Sequence, residues 1–168
     1  MAVVRGRLLG RVPPIVRAAW LDAPASNAEI AFGMSFDLFV NRFQDGEAAP
    51  FQSLVLVRAI APFVVETTPK WFELRFADED GCTIFADTNS DEIDGFNVNR
   101  PCSNAKLYEA LFAVLKTPGM VLIVPSDCPP LIGLAETASH LPQDMVDALG
   151  SPVLLRSASE ILGRIRDA

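Results

Sequence analysis

The chain has 168 residues, the length of one domain, and half of them are hydrophobic, so it can bury a substantial core. Its net charge of −7 excludes nucleic acid as an expected partner, because phosphate is bound mainly by lysine and arginine, and favours a basic partner protein. No apolar run reaches the roughly 18–20 residues that cross a membrane. Three cysteines without a C-x-x-C pair predict free thiols in a reducing cytoplasm.

Residues 1–33 differ in composition from the rest of the chain. They carry four arginines against two acidic residues, and this +2 leaves a net charge of −9 on residues 34–168. Arginines and a pair of prolines interrupt the apolar run that a secretory signal needs, although an arginine-rich start also resembles a transit peptide. We predict that residues 1–33 are a poorly ordered extension that is not native to the domain. Residues 34–168, starting at Met34, are predicted to form a single domain.

Regular patterning begins near Met34 and predicts a strand, a turn and a helix. Ser35–Asn41 alternates apolar and polar residues with a period of two, which indicates a strand. Gln44–Ala49 has the composition of a polar turn. Pro50–Ala61 fits either a helix or a buried strand, and we favour the helix because no turn residue interrupts it.

The clearest pattern spans Trp71–Arg100 and predicts three antiparallel strands joined by acidic turns. An Asp-Gly pair at Asp80 closes the first hairpin. Each strand has one apolar and one polar face, and the apolar face needs a covering layer. That face is predicted to contain Phe72, Leu74, Phe76, Cys82, Ile84, Ala86, Phe96 and Val98.

The second half of the chain supplies the covering layer. A helix over Asn104–Lys116, with Ser103 as its N-cap, carries leucines at every fourth position. An apolar run predicts a central strand at Met120–Val124. The other predicted elements are an edge strand at Leu131–Leu134, a helix at Pro142–Leu149, a strand at Val153–Arg156 and a final helix opened by the capping box Ser157–Glu160.

Together these elements predict an α+β fold in two layers. Its sheet is expected to be mainly antiparallel, with about five or six strands, and its helices to lie mostly on one face.

The acidic turn after the second of the three strands is a candidate metal site. Asp87, Asn89 and Asp91 have the alternate spacing that begins a calcium loop. However, the glycine and the bidentate glutamate that such a loop needs are replaced by Glu92 and Val98. We therefore favour a solvated, mobile turn that keeps strand edges apart from other molecules.

Cys102 and His140 are candidate catalytic residues. Cys102 precedes a predicted helix, where the helix dipole favours a thiolate, and His140 could act as its base. The alternatives are a partly buried thiol and a histidine bonded to backbone at a helix start. Nothing in the sequence places the two side chains together. No glycine-rich phosphate loop or zinc spacing occurs, so no cofactor is predicted.

Trp71, Phe96, Asn99 and Arg100 are candidate binding residues, because aromatic and arginine side chains anchor interfaces. The alternative for Phe96 is packing in the core. The junction from Gly95 into the helix that follows is where a site is expected first.

Four segments carry a resemblance: 34–40 (MSFDLFV), 45–47 (DGE), 95–101 (GFNVNRP) and 140–150 (HLPQDMVDALG). They resemble small stand-alone bacterial proteins of uncharacterised function, which commonly begin at the equivalent of Met34. The resemblance covers residues 34–168 and implies no activity and no catalytic residue.

Three classes of function remain open. A non-catalytic interaction protein, such as an immunity protein or antitoxin that neutralises a basic partner, is favoured by the acidic charge of residues 34–168. A small enzyme built on Cys102 or on the acidic turn is the first alternative. A regulator that binds a small ligand or a metal is the second.

Overall fold

The computed structural model describes residues 36–77 and 80–167. The predicted extension at residues 1–33 and the predicted start at Met34 lie outside the described residues. Within the described chain the fold is mixed α/β and is built on one large, mostly antiparallel sheet. This confirms the predicted class of fold at that level.

Eleven strands occur in the described chain. They are β1 (Asp37–Gln44), β2 (Glu47–Ala48), β3 (Phe51–Gln52), β4 (Val64–Thr68), β5 (Trp71–Arg75), β6 (Gly81–Phe85), β7 (Glu92–Ile93), β8 (Gly95–Asn99), β9 (Met120–Ile123), β10 (Leu131–Ile132) and β11 (Val153–Leu154). Nine of them form the large sheet, in the order β11-β10-β9-β1-β8-β6-β5-β4 with β2 paired to β1. β3 and β7 form a separate pair. Every pairing is antiparallel except that of β10 with β11.

The prediction of five or six strands is therefore wrong for the large sheet. Several of the additional strands contain only two residues, which is too short to show a period of two. β4 is longer, but its middle residues are all exposed, so it shows no alternation between apolar and polar positions.

Four α-helices lie in the described chain: α1 (Ser53–Ile60), α2 (Ala105–Leu115), α3 (Gln143–Leu149) and α4 (Ala158–Asp167). Two 3-10 helices occupy Ala61–Phe63 and Ala135–His140. Buried residues of α1, α2 and α4 pack against one face of the sheet in a cluster that we call the large core. α3 and the chain before it cover part of the opposite face, over a smaller cluster that we call the second core. The predicted two layers thus become three over β1, β9 and β10.

The segment predicted as either a helix or a strand contains α1. Leu56 and Ile60 are four residues apart and buried, as expected for the inner side of a helix. Pro62 follows directly, inside the first 3-10 helix. The helix begins later than predicted, at Ser53, because Phe51 and Gln52 form β3 and pair with β7 instead.

The N-cap of α2 is Asn104, and the prediction of Ser103 is wrong by one residue. The Asn104 side chain accepts a hydrogen bond from the backbone N of Lys106 at 2.9 Å. Leu107, Leu111 and Leu115 are buried in the large core, so the predicted stripe does face the sheet.

β9 is buried on both faces, as predicted, because it lies between the two cores. Met120 and Leu122 belong to the large core, while Val121 and Ile123 belong to the second core. The prediction that Leu131–Leu134 contains an edge strand is wrong. β10 is an interior strand, because it pairs with β9 on one side and with β11 on the other.

Candidate binding face of the sheet

One half of the sheet is covered by helices on a single face only. The side chains of β1, β8, β6 and β5 that point away from the large core form a surface that we call the open face. The second core reaches this surface only at Phe39, so in the described chain no helical cluster covers the rest of it. The open face comprises Asp37, Phe39, Trp71, Glu73, Thr83, Phe85, Asn97 and Asn99.

The strand register arranges these residues in two rows, because directly paired residues in antiparallel strands share a face. The aromatic row runs from Phe39 through Asn97 and Phe85 to Trp71. The polar row lies beside it and consists of Asp37, Asn99, Thr83 and Glu73.

The aromatic row carries apolar surface into solvent. Phe85 is 42% exposed, and it is one of four large hydrophobic side chains that the described chain exposes. Trp71, its direct cross-strand partner, is half-buried, as is Phe39. Directly opposed side chains have Cβ atoms about 4.5–5.5 Å apart, so Trp71 and Phe85 form one continuous patch.

The polar row is held in place by hydrogen bonds among its own side chains. The amides of Asn97 and Asn99 donate to the two oxygens of the Asp37 carboxylate, at 3.1 and 2.8 Å. The Thr83 hydroxyl donates to Glu73 Oε2 at 2.9 Å. A carboxylate offers about four acceptor positions, so both acids keep the capacity to accept hydrogen bonds from another molecule.

A shallow depression of about 340 Å³ lies along the polar row. Glu73, Thr83 and Asn99 line one part of it, and Arg75 and Arg100 line another. Arg100 has a φ of +50°, a conformation that costs a residue other than glycine about 1–2 kcal/mol. This turn takes the chain off the end of β8, so that Cys102 packs against the large core.

The structure separates the four predicted binding residues. Trp71 and Asn99 belong to the open face, and Arg100 lies at its end beside the depression. Phe96 points to the opposite side and is only 5% exposed, with its ring centroid 6.4 Å from that of Phe51. It occupies the core position that was its alternative interpretation.

Cys102 and His140 are held by different neighbours. Cys102 packs against the large core, and its carbonyl accepts a hydrogen bond from the Tyr108 hydroxyl at 2.9 Å. His140 ends a 3-10 helix, where its Nδ1 accepts from the backbone N of Asp45 at 3.3 Å and lies 3.4 Å from Asp45 Oδ1. These contacts do not bring a thiol and an imidazole together as a nucleophile and base.

The acidic turn is anchored at both its ends. Thr88 donates hydrogen bonds to the backbone of the β4–β5 turn, and the Ser53 N–H donates to the Asp91 carbonyl at 2.8 Å. Asp87 Oδ1 accepts from the backbone N of Asn89 at 3.0 Å, a local contact that turns commonly make. Ile93, in β7, is buried in the large core.

No metal cluster is formed by these side chains. Among residues 36–77 and 80–167, no group of three or more His, Cys, Asp or Glu side chains is arranged to hold a metal ion. The interpretation of the turn as solvated and mobile is corrected at Glu92–Ile93, which form β7 and pair with β3.

Burial governs the ionisation of the groups beneath the depression. Burial, with smaller contributions from Cys102 and Glu73, raises the pKa of the Cys82 thiol to about 12. Burial likewise raises the pKa of Tyr108 to about 12. Both groups are therefore neutral near pH 7.

No protein-family model, no curated protein and no solved structure matches this chain. None of its described helices has the length and apolar character needed to span a bilayer.

Sequence reasoning missed six of the eight residues of the open face. A usable signal was present, because Phe39 and Phe85 occur at positions where the alternation calls for polar side chains. An aromatic residue out of phase with the apolar face indicates a surface that is only partly solvated. Asp37, Glu73, Thr83 and Asn97 gave no such signal, since acidic residues, threonine and asparagine are ordinary on the solvent side of a sheet.

Proposed function

We propose that this protein is a non-catalytic protein-binding module that contacts a basic partner protein through the open face. The observation that carries the proposal is the exposed aromatic row on a sheet half that the described helices leave uncovered. Exposed apolar surface rimmed by polar groups marks interaction sites in soluble proteins.

The charge of the chain supports a basic partner. Residues 34–168 carry −9, and Asp37 and Glu73 on the polar row retain unused acceptor capacity. Lysine and arginine side chains of a partner would supply donors to both carboxylates. Complementary charge accelerates association and makes it dependent on ionic strength.

Trp71 and Phe85 are the proposed anchors of the interface. Tryptophan and other aromatic residues dominate binding energy when a partner removes them from water. The polar row beside them is already ordered by its internal hydrogen bonds, so little side-chain entropy is lost on binding. The proposed module is the single domain of residues 34–168, placed in the cytoplasm as an immunity protein or antitoxin would be.

A small enzyme built on Cys102 gains no support from the contacts described above, because Cys102 and His140 face different neighbours. The proposed binding role instead uses the residues of the open face, which lie together on one side of the sheet.

The test combines capture of a partner with matched surface variants. Phe85→Ser removes the centre of the aromatic row, whereas Leu54→Ser removes an equally exposed side chain, 48% exposed, from α1. Affinity capture with the wild-type chain is followed by titration of the purified partner against the wild type and both variants. We expect a partner with a basic surface, a loss of affinity of at least about tenfold for Phe85→Ser, and no loss for Leu54→Ser.

Two outcomes would overturn the proposal. One is a captured partner that binds Phe85→Ser and a Trp71→Ser variant as tightly as the wild type. The other is a partner whose affinity does not weaken between low and high salt. Circular dichroism of each variant separates lost binding from lost folding.

A further inference from the structure

β4 lies at one end of the large sheet, where its outer edge has no neighbouring strand in the described chain. Apart from the pairing of β4 with β5, the described residues make no backbone hydrogen bond to Val65, Glu66 or Thr67. All three side chains are exposed, and Val65, at 59%, is the most exposed large hydrophobic residue of the described chain. An edge of this kind presents N–H and C=O groups to which another strand can pair.

The register of β4 also places two like charges side by side. Glu66 is paired directly with Glu73, so both carboxylates lie on the side of the sheet that carries the open face. Glu73 accepts a hydrogen bond from Thr83, whereas the Glu66 side chain has no hydrogen bond or ion pair with another described residue. Directly opposed like charges destabilise a sheet, and a cation placed beside them relieves the repulsion.

We propose that the basic partner adds an extended segment to the outer edge of β4, as one more strand of the large sheet. A lysine or arginine of that segment lies beside Glu66, on the same side of the sheet as the open face. In this mode of recognition backbone hydrogen bonds hold the added strand, and its alternate side chains decide which sequence is accepted. The inference rests on the proposed function and deepens it, because it states how the partner is held.

The charge of β4 selects against a second copy of this chain as the added strand. Each copy has a net charge of −7, and antiparallel pairing of two β4 strands centred on Glu66 brings the two Glu66 side chains opposite each other. A bulge between Val64 and Glu66 protects the edge further by interrupting the regular register. Residues 66–68 stay in register with β5, so a short basic strand fits there and an acidic one is repelled.

The first experiment titrates three capped six-residue peptides against the isotope-labelled full chain. One peptide alternates lysine with valine, the second has proline in place of valine, and the third has glutamate in place of lysine. Proline keeps the positive charge but removes backbone donors, and glutamate keeps the backbone but reverses the charge. We expect the lysine–valine peptide to bind at least about tenfold more tightly than the other two and to slow amide exchange within β4.

A reversal of charge at Glu66 tests the assigned contact. Glu66→Lys should reverse the preference, so that the glutamate–valine peptide becomes the tighter ligand. Glu47→Lys is the matched control, because it makes the same change of charge at an exposed glutamate of β2 and should leave the preference as it is in the wild type. Equal binding of the three peptides to the wild type, or slower exchange at another strand and not at β4, would overturn the inference.

Two variants separate the failure of this inference from the failure of the proposed function, once a partner has been purified. Val65→Pro blocks the outer edge, and proline is tolerated at bulges of edge strands, whereas Phe85→Ser changes the open face. Loss of affinity in both variants supports both proposals. Loss in Phe85→Ser alone overturns strand addition and leaves the proposed function standing.

The opposite result, loss in Val65→Pro alone, supports strand addition and overturns the open face as the contact. Where Val65→Pro folds poorly, Glu66→Lys gives the same decision. A loss of affinity of at least about tenfold is expected for it, because the charge that attracts the basic strand has been reversed.

Discussion

Gly119 connects α2 to β9 with a φ of +81°, and a Cβ atom built there would overlap the carbonyl oxygen of Phe43. A backbone hydrogen bond holds the two segments this close, because the Phe43 N donates to the Gly119 carbonyl at 2.9 Å. Gly163, inside α4, has nothing within 4 Å of the same position. A Cβ atom therefore has no room at Gly119 and has open space at Gly163.

Gly119→Ala should lower the free energy of unfolding by at least about 1–2 kcal/mol, the cost of a left-handed conformation, with the overlap in addition. Gly163→Ala should raise it by roughly 0.5–1 kcal/mol, since alanine favours the helix. Urea denaturation of the two variants and the wild type measures both. Equal stability of all three proteins would show that the turn at Gly119 relaxes freely.

Thr137 is the one polar residue that is fully buried in the described chain. Its hydroxyl oxygen accepts a hydrogen bond from the Gly119 backbone N at 3.2 Å. The side chain thus satisfies a backbone donor in the same turn that glycine makes possible.

Thr137→Val keeps the shape but removes the acceptor, and should cost about 1–3 kcal/mol because a buried N–H loses its partner. Thr137→Ser keeps the hydroxyl. Hydrogen exchange at the Gly119 amide should become faster in the valine variant and remain slow in the serine variant. Unchanged protection in both would mean that another group accepts this hydrogen bond.

At the scale of elements, the acidic turn behaves as part of the fold. Its β7 pairs with β3, Gln52 Nε2 donates to Glu92 Oε1 at 3.0 Å, and Ile93 enters the large core. Its charged side chains stay in solvent while one apolar side chain fixes its position.

Ile93→Ala should destabilise the protein by about 2–5 kcal/mol, as truncations of buried aliphatic side chains do. Asp91→Ala is the matched control, because its exposed side chain can be removed while its carbonyl still accepts from Ser53. That variant should stay within about 0.5 kcal/mol of the wild type. Thermal unfolding of the two variants distinguishes an anchored turn from a loose one, for which both changes would be harmless.

The predictable elements were those with enough residues to show a period. β1, β5, β6, β8 and α2 follow from the alternation and the leucine spacing, and their buried sides were assigned correctly. β3 and β7 could not be predicted, since a two-residue strand is defined only by its distant partner. Only a quarter of the open face was predicted: Trp71 and Asn99 were named, but the absence of a covering helix depends on tertiary packing.

At the scale of the whole molecule, stability should fall at alkaline pH. In the unfolded chain a thiol ionises near its ordinary pKa of 9.0 and a phenol near 10.0, whereas Cys82 and Tyr108 stay protonated in the folded protein to about pH 12. The unfolded state therefore loses protons first, and deprotonation favours unfolding throughout this interval.

Urea midpoints measured at intervals from about pH 8 to pH 12 should show this fall. Cys82→Ala removes one of the two groups and should flatten part of the slope. A wild-type midpoint that stays constant over the interval would show that these groups ionise equally well in the folded protein.

β1 lies in the middle of the sheet, between β8 and β9, although it precedes both of them in the chain. A growing polypeptide therefore exposes its central strand long before either neighbour has been made. At about 5–20 residues per second, roughly 3–11 s separate the synthesis of Val40 from that of Phe96, its partner in β8. During that interval Leu38 and Val40 have no sheet to enter, which makes this strand the natural target for a chaperone acting on the nascent chain.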